Sequence, residues 1–248
     1  MSYAVNDGVR IHYEIIGSGP PLVLQHGFTQ SIEDWRNYGY VTSLRNRFRL
    51  ILVDARGHGR SDKPHETHAY GHSKYVNDIV AVLDDAGMER AHYWGYSMGG
   101  WIGLGMLTQA SGRVLKAIIG GAHPYGRKLP PGRPDGSDPL EFNRAFWKAI
   151  GVDFDSLPSH QQNKLLANDT RALAASFTDR ASSAALLPAI TVPSLMYAGQ
   201  EDGLFAQAKE GAALVPNCRF ITVPGNHAPA FWNSVAIVPH VLKFLAEP

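Results

Sequence analysis

The sequence predicts an α/β fold, and three observations carry that prediction. Short, continuously apolar runs recur along the chain, stretches of helical periodicity alternate with them, and a Gly-x-Ser-x-Gly element joins one such run to one such stretch. A strand covered on both faces has no polar side, so it reads as an unbroken apolar run, the signature of buried parallel strands. Strand, helix, strand in repetition builds a sheet with helices on its faces. At 248 residues, 44% hydrophobic and 18% charged, the chain suits one large domain or a core with a modest insertion, and its core needs no covalent staple.

The elements follow in order. Tyr3 to Val5 and Val9 to Ile16 are β-rich and flank Asn6-Asp7-Gly8, whose residues tolerate positive φ, so they predict a hairpin. The apolar runs Leu22 to Leu24, Leu50 to Val53, His92 to Trp94, Val114 to Ile119, Ser194 to Tyr197 and Arg219 to Val223 predict six parallel strands. Tyr75, Ile79, Val82 and Ala86 repeat at helical spacing, with Ser73 placed to cap the start and Gly87 the end. Five prolines (124, 130, 131, 134, 139) and three glycines (126, 132, 136) then mark a loop. Beyond it, Glu141 to Ile150, Gln161 to Asn168 and Arg171 to Leu187 predict helices with no strand among them. Residues 124–188 therefore read as a helical insertion capping a core made of 1–123 and 189–248.

Charge and cysteine usage exclude several classes of function. Lys plus Arg number 23 against 22 Asp plus Glu, a net charge of +1, so no long-range field would gather nucleic acid or an anionic membrane. Arg45, Arg47 and Arg49 read as a solvated edge. The single Cys218 excludes an intramolecular disulfide framework and fits a reducing compartment; it reads as core filler. Met1 to Arg10 carries Asp7 and no apolar stretch, and nowhere do 18 apolar residues run together. A soluble cytoplasmic protein is the expectation, and no feature of the sequence sets an oligomeric state.

The chemistry is concentrated at strand ends. The run Ala91 to Trp94 leads directly into Gly95-Tyr96-Ser97-Met98-Gly99-Gly100 and then the helical Trp101 to Gln109. A serine on such a strand-to-helix turn sits in a strained conformation, and the flanking glycines remove side chains that would collide as strand and helix approach. Its hydroxyl is exposed at a helix N-terminus, where free N–H groups favour negative charge; the Met98 N–H should point at that charge. A serine hydroxyl is a weak nucleophile that needs a base, itself oriented by a third group. Ser194 to Tyr197 ends in a loop holding Glu201 and Asp202, and Arg219 to Val223 ends in Pro224-Gly225-Asn226-His227. Parallel strands present their C-terminal ends on one edge, so Ser97, His227 and one of the two carboxylates can converge.

These pieces, with His26-Gly27-Phe28 after an apolar strand and Asp54-Ala55-Arg56-Gly57-His58-Gly59-Arg60-Ser61-Asp62, make the sequence resemble an α/β-hydrolase over essentially its whole length. The resemblance implies an eight-stranded, mostly parallel sheet flanked by helices, with a helical cap after the sixth strand. It also implies roles: Ser97 as nucleophile, His227 as general base and then acid, Asp202 rather than Glu201 as orienting carboxylate, and the Phe28 and Met98 N–H groups as an oxyanion hole. The Asp54 to Asp62 loop would stabilise the fold. Epoxide hydrolases and haloalkane dehalogenases need a carboxylate nucleophile, which Ser97 does not supply.

Other chemistries lack support. His65, His68 and His72, with Glu66, have the wrong spacing for His-Glu-x-x-His and read as solvated imidazoles ahead of the Tyr75 helix, so no metal is expected. Trp101 and Ile102 stand where a phosphate loop requires Lys and Ser/Thr, and no Gly-x-Gly-x-x-Gly follows the first parallel strand, so no nucleotide or other cofactor is expected. The expected reaction is acyl transfer to water on a small or mid-size carboxylic ester or lactone. Alternatives with the same triad are cleavage of a carbon–carbon bond in a diketone, acyl transfer to peroxide, or amide hydrolysis; a small-ligand receptor on this scaffold is the non-enzymatic alternative. Phe28, Met98, His123 and Tyr125 should lie near the nucleophile; Leu204, Phe205, Phe231 and Trp232 line a pocket or fill the core. No Arg or Lys cluster lies beside the triad in sequence, which favours an uncharged or modestly polar ester over a polyanionic substrate.

Overall fold

The computed structural model describes residues 2–247. Its first two strands, β1 (Ser2–Asn6) and β2 (Val9–Ile16), form the predicted hairpin. Asp7 and Gly8 turn it with φ of 53° and 75°, the pair of positive values that a two-residue turn needs to match strand twist. The six apolar runs become β3 (Pro21–Gln25), β4 (Arg49–Val53), β5 (Ala91–Tyr96), β6 (Val114–Gly120), β7 (Ser194–Gly199) and β8 (Cys218–Val223). Together the strands make one eight-stranded sheet in the order β1-β2-β4-β3-β5-β6-β7-β8, in which β2 runs antiparallel to β1 and β4 and every other pairing is parallel.

Strand periodicity explains why the runs are apolar throughout. Val23, Ile51, Val53, Tyr93, Ile119 and Met196 point to one face, and their neighbours Leu22, Leu24, Leu50, Leu52, Trp94, Ile118 and Leu195 to the other; all are buried. The first face is covered by α3 (His72–Asp85) and α4 (Met98–Gln109), which pack on each other, while α8 (Phe205–Ala213) lies beside β7 and β8. The second face holds α1 (Ile32–Asn37), α2 (Tyr40–Leu44) and α10 (Ser234–Ala246), and α9 (His227–Trp232) leads into the last of these. Among the described residues no helix is long and apolar enough to cross a membrane.

Two expectations about helix ends are corrected. The first turn of α3 begins at His72 behind Gly71, so Ser73 lies inside the helix instead of capping it. Gly87 does follow the helix end, at φ 66°. Between β6 and β7 lie α5 (Pro139–Ala149), α6 (Ser159–Leu166) and α7 (Thr170–Ser176), then a 3-10 stretch at Ala184–Ala189. The helix expected over 171–187 therefore stops at Ser176. Arg127 and Arg180 exchange N–H···O bonds of 2.9 Å each way as an antiparallel bridge, and an extended Arg180 cannot continue a helix. This segment lies over the C-terminal strand ends: Asn168 Nδ2 donates to the Thr29 carbonyl at 3.1 Å, Lys164 pairs with Asp34, and Phe28 contacts Phe146 and Phe177 with ring centroids 4.9 and 5.2 Å apart.

Candidate active site

Ser97 occupies the turn between β5 and α4 at φ 53° and ψ −110°, a conformation that costs an L-residue of order 1–3 kcal/mol. Two crossings explain how the turn is held. A Cβ on Gly95 would stand 2.1 Å from the Gly99 carbonyl oxygen, and one on Gly99 would stand 2.1 Å from that of Gln25. Only glycine permits strand and helix to approach so closely. The Ser97 N–H donates to Gly120 O at 2.8 Å, pinning the turn to the end of β6. Met98 opens α4, so its N–H has no intrahelical acceptor and is free for a ligand.

The other two predicted groups reach this hydroxyl. His227 Nε2 lies 2.9 Å from Ser97 Oγ, and His227 Nδ1 lies 2.7 Å from Asp202 Oδ2. With the carboxylate accepting the Nδ1 proton, Nε2 is left to accept the hydroxyl proton. Asp202 is 5% exposed and its Oδ1 accepts the Leu204 N–H at 2.9 Å, whereas Glu201 is exposed and turned towards Gln200. The loops after β7 and β8 are stitched together, since the Glu201 N–H donates to Gly225 O at 3.1 Å. The His227 loop is further fixed by the Tyr96 hydroxyl, which donates to the His227 carbonyl at 2.5 Å.

Phe28 lies on the loop after β3, beside the serine turn. His26 is fully buried, and burial lowers its pKa, so its ring is neutral at neutral pH. Ala55 N–H donates to His26 Nε2 at 3.0 Å, which leaves the ring proton on Nδ1 to donate to Gly27 O at 2.8 Å. Gly27 N–H in turn donates to Gln30 Oε1 at 2.8 Å. Thr29 is consequently held at φ 65° in a buried position. The Asp54 to Asp62 loop acts from behind: Asp54 accepts Ile32 N–H at 2.9 Å and Arg60 N–H at 3.0 Å, and Arg56 forms a buried two-pronged pair with Asp78, both bonds 2.6 Å. Its residues do not line the cavity described next.

An open cavity of about 1010 Å³ lies above the serine, and Phe28, Met98, His123, Tyr125 and Leu204 all line it. Phe231 and Trp232 also reach it, but Phe205 does not and packs edge-on against Phe220 instead. The His123 and Tyr125 rings stack 5.9 Å apart. Burial, then the charges of Arg180 and Arg127, lower the His123 pKa. The fold brings to the cavity cations that are not beside Ser97, Asp202 or His227 in sequence. Arg127, Lys128, Arg133, Lys164 and Arg180 all line it, because the segment between β6 and β7 folds residues distant in sequence over the strand ends. The bridge at Arg127 and Arg180 was the feature missed; alternation there is too short to read as strand.

The histidines of the 65–72 stretch are also revised. His72 is only partly exposed, stacks 4.1 Å from the Trp101 ring and has Nε2 2.7 Å from the Trp101 carbonyl, while His65 pairs with Asp169 at 3.0 Å. Neither is a simply solvated imidazole. Among the described residues no group of three or more His, Cys, Asp or Glu side chains is arranged to hold a metal ion.

The family profile of the alpha/beta hydrolase fold matches residues 20–146, just over half of the chain. The chain belongs to that family. Within the alpha/beta hydrolases, it is 26% identical over 270 residues to a non-heme haloperoxidase of Rhodococcus erythropolis, with 97% of each chain covered. Its structure superposes on an esterase, RhEst1, from Rhodococcus sp. ECU1013 with a TM-score of 0.82 at 28% identity, covering 99% of this chain and 98% of that one. It superposes on an enol-lactonase from Burkholderia xenovorans LB400 with a TM-score of 0.86 at 23% identity, covering 99% and 100%. At that identity the second likeness is one of fold.

Proposed function

We propose that this alpha/beta hydrolase is a serine hydrolase that cleaves a small or mid-size carboxylic ester or lactone. The observation that carries the reading is the unbroken hydrogen-bond chain from Ser97 Oγ through His227 to Asp202, opening into a cavity large enough for such a substrate. Ser97 attacks the carbonyl while His227 takes its proton; Asp202 orients the ring and stabilises the imidazolium that forms. The Phe28 and Met98 N–H groups bind the developing oxyanion. His227 then returns the proton to the leaving alcohol, and water hydrolyses the acyl-enzyme by the same route in reverse. Phe28, His123, Tyr125 and Leu204 contact the substrate, and residues 124–188 act as a cap on a core of 1–123 and 189–248. The superposition on the esterase supports this reading.

The haloperoxidase relative favours one variation, in which hydrogen peroxide replaces water as acceptor of the acyl group and the product is a peracid. The chemistry at Ser97 is unchanged, so both forms share one test. A panel of esters, lactones and diketones is assayed with the wild-type protein and Ser97→Ala, with and without peroxide. Loss of a triad serine costs roughly 10⁴- to 10⁶-fold in turnover. Ester hydrolysis that survives Ser97→Ala would sink the proposal.

A further inference from the structure

Two part-buried guanidinium groups in the cavity, those of Arg127 and Arg180, have no carboxylate partner among the described residues, and the exposed Arg133 adds a third positive charge. Arg180 lies over Trp101, its Cζ 4.0 Å from the ring centroid, and Arg127 lies over Phe177, also at 4.0 Å. Stacking satisfies the face of a guanidinium, but its five N–H donors point outward in the plane. For Arg127 one of these donates to Thr178 O at 3.2 Å, and Nε is buried without a partner. The acids near the cavity are engaged elsewhere: Asp202 with His227, Asp34 with Lys164, Asp179, whose charge reaches Arg127, with Lys128 and the Leu129 N–H, and Glu201 with Gln200 Nε2 at 3.4 Å. Burial, then the neighbouring positive charges, brings Arg180 down to about 9 and Arg127 down to about 10. Two like charges drawn out of water beside one another are costly unless something negative joins them.

Their arrangement is built rather than incidental. The two residues are paired directly across an antiparallel bridge, and such partners project from the same face. Trp101, beneath Arg180, is one helical turn from the serine, its N–H bonded to Ser97 O at 2.9 Å. Ser97 and both guanidiniums line the same cavity of about 1010 Å³, so one small molecule could set an anion at the guanidiniums and a carbonyl at Ser97. A guanidinium fork matches a carboxylate with two parallel hydrogen bonds.

We propose that Arg127 and Arg180 form an anion subsite, and that the substrate is an ester or lactone carrying a carboxylate a few bonds from the scissile carbonyl. This rests on the hydrolase reading above and narrows it. Hydrolysis of a dicarboxylic half-ester consumes one water and yields an alcohol and the dicarboxylate, with the subsite carboxylate unchanged throughout.

The test compares the mono-4-nitrophenyl ester of glutaric acid with 4-nitrophenyl pentanoate, which has the same acyl length without the charge. A charge-assisted contact gives the wild-type protein a preference for the half-ester of about 10- to 100-fold in kcat/KM, carried mainly by KM and shrinking as salt is added. Arg127→Gln and Arg180→Gln each lower that ratio about tenfold, and Arg180→Lys recovers part of it. Binding of glutarate itself, followed calorimetrically, weakens in the same variants, which tests the subsite even if a variant has lost turnover. Equal rates on the two esters, with hydrolysis still dependent on Ser97, would overturn the subsite and leave the hydrolase reading standing. Hydrolysis independent of Ser97 would remove the hydrolase reading, while glutarate binding still decides the subsite. Preference for a phosphonate-ended ester of equal length over the half-ester would overturn the carboxylate assignment.

Discussion

At the scale of single residues, the arrangement makes the two neighbouring carboxylates at 201 and 202 unequal. Asp202 is buried against the His227 ring, while Glu201 is exposed. On the proposed mechanism, Asp202→Asn keeps the shape but presents an amide that can donate to Nδ1, forcing the ring proton to Nε2, where it blocks the base. Turnover should fall about 10⁴-fold, and Glu201→Gln should fall by far less; steady-state kinetics on one activated ester decide it. Equal losses in the two variants would contradict the assignment. Sequence order alone could place either acid near the strand end; the family resemblance points to Asp202, and its bonds to the His227 ring and the Leu204 N–H show the physical reason.

At the scale of elements, close contact between β3, β5 and α4 positions Ser97, the proposed nucleophile. Gly99→Ala would drive a methyl group into the Gln25 carbonyl, 2.1 Å away, and neither strand nor helix can yield alone. Overpacking of this kind costs about 1–3 kcal/mol or more. A melting temperature lowered by several degrees, together with lost activity, is the expected outcome; an unchanged melt would mean that the helix slides freely. The strands of this layer were legible because burial on both faces removes polar residues, and the serine turn because glycine is required at fixed steps around it. The segment between β6 and β7 was legible only as helical. Its third helix ends early for a reason no local pattern carries: Arg180 pairs with Arg127, 53 positions earlier by their numbers, and long-range pairing overrides helical periodicity. The cations of the cavity were hidden for the same reason, since they are neighbours only after that pairing forms.

At the scale of the whole molecule, buried neutral imidazoles tie stability to pH. His58 is 1% exposed, with Nδ1 3.1 Å from the Arg56 carbonyl and its ring against Phe28 and His26; burial, then repulsion from His26, lowers its pKa to about 3. Burial lowers His26 in the same direction. A histidine whose folded pKa lies below its unfolded value, 6.5, binds its proton more readily when the chain is unfolded. Its contribution to stability is therefore complete above pH 6.5, declines as pH falls below that, and levels off near pH 3. Between pH 7 and pH 5 His58 alone removes about 2 kcal/mol. For a domain of this size that amounts to a fall in melting temperature of roughly 4–8 °C. Carboxylates held low in the fold, such as Asp62 beside Arg10, titrate below this window and do not confuse it. His58→Gln cannot take up the proton, so whatever its absolute stability, its melting temperature should fall less steeply between pH 7 and pH 5 than that of the wild type. The change in slope, and not the change in either melting temperature, isolates the imidazole; two parallel pH profiles would show that the buried ring does not govern the acid sensitivity.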